Sequence, residues 1–298
     1  MTIPNAQKPM LKQPLVSIGM PVFNGEKYIR DALESLIQQS FSNFELIISD
    51  NASTDHTAAI CQEYADRDNR ITYIRQSSNI GAAANFQFVL DQAKAEIFMW
   101  AAHDDLWAVD YLERAMPLLD DASVAFVFPT FCVASIRLGI KKKFDERIFR
   151  FVESRNKETR VLGFVALHHN SHKCNLVYSL FRKNMLQAAI KIQHIGNDGV
   201  LATVILSLGR CRLLSGWLFT KRYPTFWPGL LSPINRLIRQ NKSKSFDAAK
   251  NAALDRLCAI FPKEAGVIAN IFDCYQPYSY GDAYQIYLLD HLSREDAK

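Results

Sequence analysis

Two adjacent carboxylates, Asp104 and Asp105, follow an apolar run that starts at residue 97 and includes two aromatic residues. A short run of this kind is typical of a strand buried on both faces of a parallel sheet. Such sheets bind ligands beyond the carboxyl ends of their strands. Two acids there repel each other unless a cation lies between them, which favours a divalent metal with a phosphate-bearing ligand. On these residues alone, it is an equal alternative that Asp105 only caps the next helix.

Similar units of strand, polar tip and helix precede this run. Their predicted strands cover residues 15–20, 44–49 and 71–74. Asn24 follows the first strand and is a suitable N-cap for the first helix. Four such units predict an α/β fold with an open, mostly parallel sheet, helices on both faces and right-handed crossovers. Asp50, Asn79 and Asp104 would then lie along one edge, which favours the metal and phosphate hypothesis over the helix cap.

The composition excludes several classes of protein. The 298 residues are 49% hydrophobic and 22% charged, an ordinary globular balance. No apolar run reaches the roughly 18 residues that span a bilayer, and the amino terminus lacks a signal-peptide core, so we expect a cytoplasmic protein. Six cysteines without a close pair argue against a zinc knuckle or a redox dithiol. The glycine-rich loops that bind phosphates through backbone amides are missing.

Basic residues are concentrated in two segments. They are Arg137, Lys141, Lys142, Lys143, Arg147 and Arg150 in the first segment, and Arg236, Arg239, Lys242 and Lys244 in the second. Such clusters suit anionic ligands or an anionic membrane surface, although a solvated basic face is the simpler interpretation of either cluster alone. Residues 230–239 also have the pattern of an amphipathic helix that lies on a membrane, with docking on the rest of the protein as the alternative. No nucleic-acid partner is expected.

Four motifs occur in order along the first part of the chain. They are Pro21-Val22-Phe23-Asn24, Ser49 to Asp55, Asn79-Ile80-Gly81 and Trp100 to Asp105. Together they resemble the inverting family 2 glycosyltransferases of the GT-A fold, the fold of nucleotide-diphospho-sugar transferases. The resemblance implies a catalytic domain over residues 1–222, with a nucleotide-sugar-binding half at 15–120 and an acceptor half at 121–222. Residues 223–298 are then expected to form a C-terminal helical extension.

The resemblance also implies roles for individual residues. Those implied to bind the donor are Pro21, Val22, Phe23, Asp50, Asn79, His103, Asp104 and Arg222. Asp104, with Asp105 beside it, matches the family's metal-binding carboxylate, which implies Mg²⁺ or Mn²⁺ as the cofactor. The chain departs from the family at Ala102, where the motif has its first aspartate, and at Tyr223, where a histidine is usual.

Asp198, at the start of a predicted helix, matches the family's catalytic base. Without the resemblance, the alternative is an acid favoured there by the helix dipole. A base is needed because an acceptor hydroxyl is a poor nucleophile near neutral pH. We therefore expect inverting transfer from a nucleotide-diphosphate sugar, a UDP- or dTDP-sugar above others, to a glycan or lipid-linked acceptor. The family's usual role suggests bacterial surface polysaccharide or lipid-linked oligosaccharide synthesis, with a peripheral contact to the inner face of the membrane.

Two alternatives follow from the same residues. A catalytically degenerate member that binds a nucleotide sugar or a glycan without turnover is motivated by Ala102 and Tyr223. A nucleotidyltransferase built on the same kind of sheet would need a glycine-rich loop with Lys or Arg after the first strand, which the sequence lacks. Hydrolysis of a donor without an acceptor would separate a transferase from a binding protein.

Overall fold

A mixed β-sheet forms the centre of the computed structural model, which describes residues 13–167, 172–196, 198–223 and short stretches between 254 and 269. Its strands are β1 Val16–Val22, β2 Phe44–Asp50, β3 Ile71–Arg75, β4 Ile97–Trp100, β5 Leu106–Trp107, β6 Val124–Ser135, β7 Ile140–Lys143, β8 Leu180–Arg182 and β9 Arg210–Tyr223. The helices are α1 Ile29–Ile37, α2 Thr57–Arg67, α3 Ala82–Gln92, α4 Tyr111–Ala115, α5 Lys157–Ala166, α6 Lys183–Ile192 and α7 Asp198–Leu208. The strand order is β3-β2-β1-β4-β8-β6-β9-β5, and β7 pairs with β6.

The first half of the chain confirms the predicted parallel units. β1 pairs in parallel with β2 and β4, and β2 pairs in parallel with β3. β1 and β2 are buried along their whole length, as expected for central strands covered by helices. β1 was predicted to end at residue 20, yet it continues through Pro21 to Val22. Its pairing with β4 ends at Gly19, so Pro21, which has no N–H group, is flanked only by β2.

The first helix begins later than the sequence predicted. Asn24 has a left-handed backbone with φ of 50° and does not cap α1, which begins at Ile29. Instead, the Asn24 side chain accepts a hydrogen bond from the Thr54 amide at 2.9 Å. Asn24 therefore joins the loop after β1 to the loop after β2. The N-cap prediction was wrong because that tertiary partner replaced the helix amides.

The sheet becomes mixed in the second half of the chain. β8 is antiparallel to both of its neighbours, β4 and β6. β6 and β9 are long and run parallel to each other, with irregular register near Pro129. β9 therefore returns the chain to the side of the sheet where β1, β2 and β4 end.

The predicted C-terminal extension lies mostly outside the described residues. Three of its residues pack against α5 and α7. These are Leu254, Cys258 and Ile260, which contact a cluster of Val161, Val165 and Val200. The boundary at residues 222 and 223 stays a prediction, although β9 ends beside it at Tyr223. Among the described helices, none is long and apolar enough to cross a membrane.

Candidate functional site

A pocket of about 480 Å³ lies beyond the carboxyl ends of β1, β2 and β4. Its walls come from these strand tips, from the first turns of α3, and from Tyr178 and Lys221 of the second half. The volume falls within the range of about 300–1,000 Å³ that is common for small-molecule sites. The pocket thus lies where the predicted topology places a ligand.

The tip of β1 supplies one wall of the pocket. Pro21, Val22 and Phe23 all line it, so the structure brings together the three donor-binding residues predicted from the first motif. Pro21 and Val22 are buried, whereas Phe23 is 45% exposed. An exposed aromatic ring at a pocket mouth offers a flat apolar face to a planar ligand.

At the tip of β2, the residue that faces the pocket is Asn51 and not Asp50. Asp50 is fully buried, and it accepts hydrogen bonds from the Ser53 amide at 2.8 Å and from the Tyr73 hydroxyl at 2.9 Å. Arg75 lies 3.7 Å from the same carboxylate. Asp50 therefore closes the turn after β2 and ties it to β3, and the structure does not bring it to the pocket.

Asn51 also holds the loop that carries Asn79. Its Nδ2 donates to Asn79 Oδ1 at 2.9 Å, and its Oδ1 accepts from the Ile80 amide at 2.8 Å. Asn79 Oδ1 accepts a second hydrogen bond from the Gly81 amide at 2.9 Å, where a φ of 86° suits glycine. Asn79 lines the pocket, and its side-chain oxygen accepts the hydrogen bonds that shape the loop that leads into α3.

The two adjacent carboxylates after β4 point in different directions. Asp104 lines the pocket. Asp105 is fully buried outside the pocket lining, where it accepts from Lys221 Nζ at 2.8 Å and from the Arg222 amide at 2.9 Å. Burial raises the pKa of Asp105 to about 6, and Lys221 opposes that rise. At neutral pH, Asp105 is therefore ionised and paired with the ammonium group, and it does not act as a second carboxylate in the pocket.

Of the two adjacent basic residues at the end of β9, likewise only one lines the pocket. Lys221 lines the pocket, with its ammonium 5.2 Å from the centroid of the Tyr178 ring. Arg222 was implied to bind the donor, yet it is 7% exposed and lies outside the pocket lining. Its guanidinium donates to Asp31 at 2.6 Å, to the Tyr28 carbonyl at 3.0 Å and to the Asp104 carbonyl. Arg222 thus holds the loop after β4 against the start of α1.

His103 lines the pocket beside Asp104. Burial lowers the pKa of His103, although the Asp104 carboxylate opposes this shift, so the imidazole is neutral at pH 7. A Cβ atom on Gly25 would lie 2.7 Å from the imidazole, which means that the ring packs directly on that glycine. His103 can therefore offer one donor and one acceptor to a ligand from a fixed position.

Asp198 is the first residue of α7. It is exposed to solvent, yet the surrounding protein desolvates its carboxyl group and raises its pKa, with the charge of Lys221 opposing the shift. This electrostatic link places Asp198 near the same ammonium group that lines the pocket, although Asp198 itself is not part of the lining. Tyr223, at the family's histidine position, contacts His172, with its hydroxyl 2.9 Å from Nδ1.

Asp104 is the residue of this site that can hold a divalent cation. Across the described part of the chain, no group of three or more His, Cys, Asp or Glu side chains is arranged to hold a metal by itself. Mg²⁺ is commonly bound by one or two carboxylates together with substrate phosphates. A single carboxylate at a pocket of this size fits that mode of binding.

Seven lining residues were not among the predicted site residues, namely Asn51, Ala82, Asn85, Phe86, Ala102, Tyr178 and Lys221. Asn51, Tyr178 and Lys221 belong to segments that the sequence had marked, but a neighbour or no residue was chosen there. For Lys221 the usable signal is strand alternation on β9, since only one of two adjacent side chains faces the pocket. For Asn51 no such signal exists, because β2 is buried on both faces. Tyr178 is the last residue of a 3-10 turn at Lys173–Tyr178, and no role had been assigned to it from the sequence.

Comparison with known sequences places this site in context. Residues 17–188, more than half of the chain, match the family model described as glycosyl transferase family 2. TuaG of Bacillus subtilis, a glycosyltransferase assigned to teichuronic acid biosynthesis, is 36% identical over 116 residues, 39% of this chain and 46% of TuaG. An uncharacterized glycosyltransferase of Rickettsia typhi is 29% identical over 187 residues, 61% of this chain and 56% of that protein. The chain spans about half the length of these curated relatives.

Solved structures share the fold. TarS of S. aureus, residues 1–349, aligns with a TM-score of 0.55 and 20% identity over 70% of this chain and 60% of that one. The mannosyltransferase PcManGT of Pyrobaculum calidifontis, in complex with GDP-Man and Mn²⁺, aligns with a TM-score of 0.51 and 18% identity over 96% of this chain and 88% of that one. At these identities the likeness shows the fold alone, and that fold is the predicted GT-A fold.

Proposed function

The chain belongs to glycosyl transferase family 2, and we propose that it moves a sugar from a nucleotide-diphosphate donor to an acceptor hydroxyl by single displacement with inversion. The observation that carries this proposal is the pocket at the strand tips, where the Asp104 carboxylate and the Lys221 ammonium face the same space. Structures of TarS with UDP and UDP-GlcNAc, and of PcManGT with GDP-Man, support a nucleotide-sugar donor.

The pocket suggests how the donor is held. Phe23 offers a ring face and Asn51 an amide group to the nucleotide base, at the tips of β1 and β2. Lys221 takes the phosphate-binding role that the sequence had implied for Arg222. Its ammonium is held by Asp105 at 2.8 Å, so a diphosphate would meet a cation that is already oriented.

Asp104 is the proposed holder of Mg²⁺ or Mn²⁺, together with phosphate oxygens of the donor. When bound, such an ion neutralises negative charge that develops on a leaving diphosphate. A Mn²⁺ ion with GDP-Man in PcManGT is consistent with this assignment. His103 lies next to Asp104 in the pocket and is positioned to donate to the ribose or to the phosphates.

Asp198 is the proposed base. As the acceptor oxygen forms its bond to the anomeric carbon, the hydroxyl proton passes to the Asp198 carboxylate, and the bond from that carbon to the diphosphate oxygen breaks. The nucleotide diphosphate leaves with the bonding electrons, and the new glycosidic bond has the opposite anomeric configuration. We take the acceptor to be a hydroxyl of a glycan or lipid-linked chain, as the name of TuaG suggests for that relative.

Calorimetric titration with UDP, GDP and dTDP, each with and without Mn²⁺, tests the donor site directly. We expect one nucleotide to bind, more tightly with Mn²⁺, and the metal-dependent gain to vanish in Asp104→Ala. Asp91→Ala, which removes an exposed carboxylate on α3, is the matched control and should bind like the native chain.

Two other outcomes would change the assignment. If no nucleotide binds under either condition, the donor site at the strand tips is wrong. If a nucleotide sugar binds but is neither hydrolysed nor transferred, the chain is a binding protein of this family, which is the alternative suggested by Ala102.

A further inference from the structure

The turn between β6 and β7 exposes three aliphatic side chains to solvent. Ile136 is 41%, Leu138 40% and Ile140 45% exposed, all within five residues of chain. Gly139, with a φ of 62°, closes the turn that projects them. A contiguous exposed group of large apolar side chains usually marks an interaction surface. We call residues 136–143 the β6–β7 tip.

Basic side chains flank these aliphatic residues on the same hairpin. All of Arg137, Lys141, Lys142 and Lys143 are exposed. The Lys143 ammonium lies 4.0 Å from the centroid of the Trp217 ring, which anchors the charge at the base of the tip. Residues 136–150 contain six basic and two acidic residues, and one of those acids, Asp145, is paired with Arg147 at 2.6 Å.

The β6–β7 tip lies on the same edge of the sheet as the pocket. Val133 of β6 pairs with Lys142 on one side and with the pocket residue Lys221 on the other. Ser135 pairs with Ile140 and with Tyr223 in the same way. Whatever binds the tip is therefore held beside the mouth of the site.

We propose that the β6–β7 tip docks on an anionic phospholipid surface. Lys and Arg side chains would meet the lipid phosphates while Ile136, Leu138 and Ile140 enter the headgroup layer. A soluble anionic polymer would use the charges but would leave the aliphatic side chains in water. The chain's own residues 224–253 carry five basic residues and one acidic residue, so like charge disfavours them as the cover of this tip.

The test is cosedimentation of the full chain with vesicles of phosphatidylcholine alone or mixed with phosphatidylglycerol. We expect binding to the mixed vesicles only, and weaker binding at high salt. The triple variant K141E/K142E/K143E should lower the partition coefficient by about 100-fold or more, because each basic residue near an anionic surface contributes about fivefold. I136S/L138S/I140S should also lower it, while leaving the salt dependence in place.

The matched control is R67E/K157E/K191E, which makes the same change of charge at exposed positions on α2, α5 and α6. It should bind vesicles nearly as well as the native chain, and all three variants should keep nucleotide affinity. Native-like vesicle binding by K141E/K142E/K143E, or an equal loss in the control, would overturn the proposal. Binding to a soluble anionic polysaccharide without binding to mixed vesicles would also overturn it. None of these outcomes depends on which donor sugar the enzyme uses.

Discussion

The surroundings of Asp198 have opposing effects on the pKa of its carboxyl group. Desolvation by the surrounding protein raises the pKa of its carboxyl group, while the ammonium of Lys221 and the amino end of α7 favour the ionised form. A carboxylate with a raised pKa is a stronger base than a free aspartate. This balance suits a group that must take a proton from a hydroxyl.

Asp198→Asn should lower kcat/KM for transfer by about 10²–10⁴-fold, because an amide cannot accept the hydroxyl proton. For the native enzyme, kcat/KM should fall as the pH drops through the raised pKa of Asp198, above the value of about 4 of a free aspartate. The rate falls at low pH because a protonated Asp198 cannot accept the proton of the acceptor hydroxyl. Initial rates across pH and calorimetric nucleotide affinity provide the measurements. Full activity of Asp198→Asn would remove this residue from the mechanism.

At the residue scale, the sequence pointed to the segments that line the pocket, but at two positions the neighbour of the predicted residue lines it. The pocket is lined by Asn51 and Lys221, whereas Asp50 and Arg222 had been predicted. Adjacent side chains on a strand face opposite ways, and the alternation of hydrophobic and polar residues normally reveals which side chains face which way. β2 is buried on both faces, so its sequence shows no alternation that would distinguish one face from the other. Asp104, by contrast, lines the pocket, and its metal-binding role stays a prediction.

At the scale of elements, the depth of the pocket depends on how closely α3 packs against β1. A Cβ atom at Gly19 would lie 2.7 Å from Val89 Cγ2 and 2.8 Å from Phe98 Cζ, so the helix touches the strand backbone at this point. The first turns of α3 also line the pocket through Asn85 and Phe86. A larger residue at position 19 would therefore displace a wall of the site as well as strain the core.

Gly19→Ala should lower the free energy of unfolding by about 1–3 kcal/mol, the usual cost of overpacking a core. Urea denaturation followed by tryptophan fluorescence gives this value. Gly266→Ala is the control, because a Cβ atom there has no neighbour within 4 Å, and it should change stability by no more than about 0.5 kcal/mol. An equal effect of both substitutions would mean that α3 does not pack closely on β1.

The four parallel strands of the first half were predictable because each is a local pattern of strand, turn and helix. β8 was not, since three residues are too few to show a period. Its place depends on distant partners, because Phe181 pairs with Phe98 of β4 and with Phe126 of β6. Strand order of this kind is set by packing between segments far apart in sequence, which a local pattern does not contain.

At the scale of the whole molecule, the donor and the metal should bind as a pair. Without a nucleotide, Mn²⁺ would have Asp104 as its carboxylate ligand among the residues that line the pocket. Because one carboxylate binds the ion weakly, Mn²⁺ alone should not raise the melting temperature of the protein. The preferred nucleotide at 100 times its Kd should stabilise the fold by about 2.7 kcal/mol, which is a shift of about 5 °C, and Mn²⁺ should enlarge the shift. Thermal unfolding with nucleotide, metal, both and a chelator measures these effects. A full shift with Mn²⁺ alone would contradict this coupling.

Lys221 donates to Asp105 across a separation of 116 residues, and Arg222 reaches back to Asp31 across 191. When only the first half of the chain has left the ribosome, Asp105 has been made but Lys221, the cation that pairs with it, has not. Leaving one member of such a buried pair alone costs about 3–5 kcal/mol. The nascent chain can complete the pocket beyond the strand tips only when β9 has emerged. Recombination that joined this first half to a different second half would keep these contacts only if the incoming strand carried both a lysine and an arginine in register.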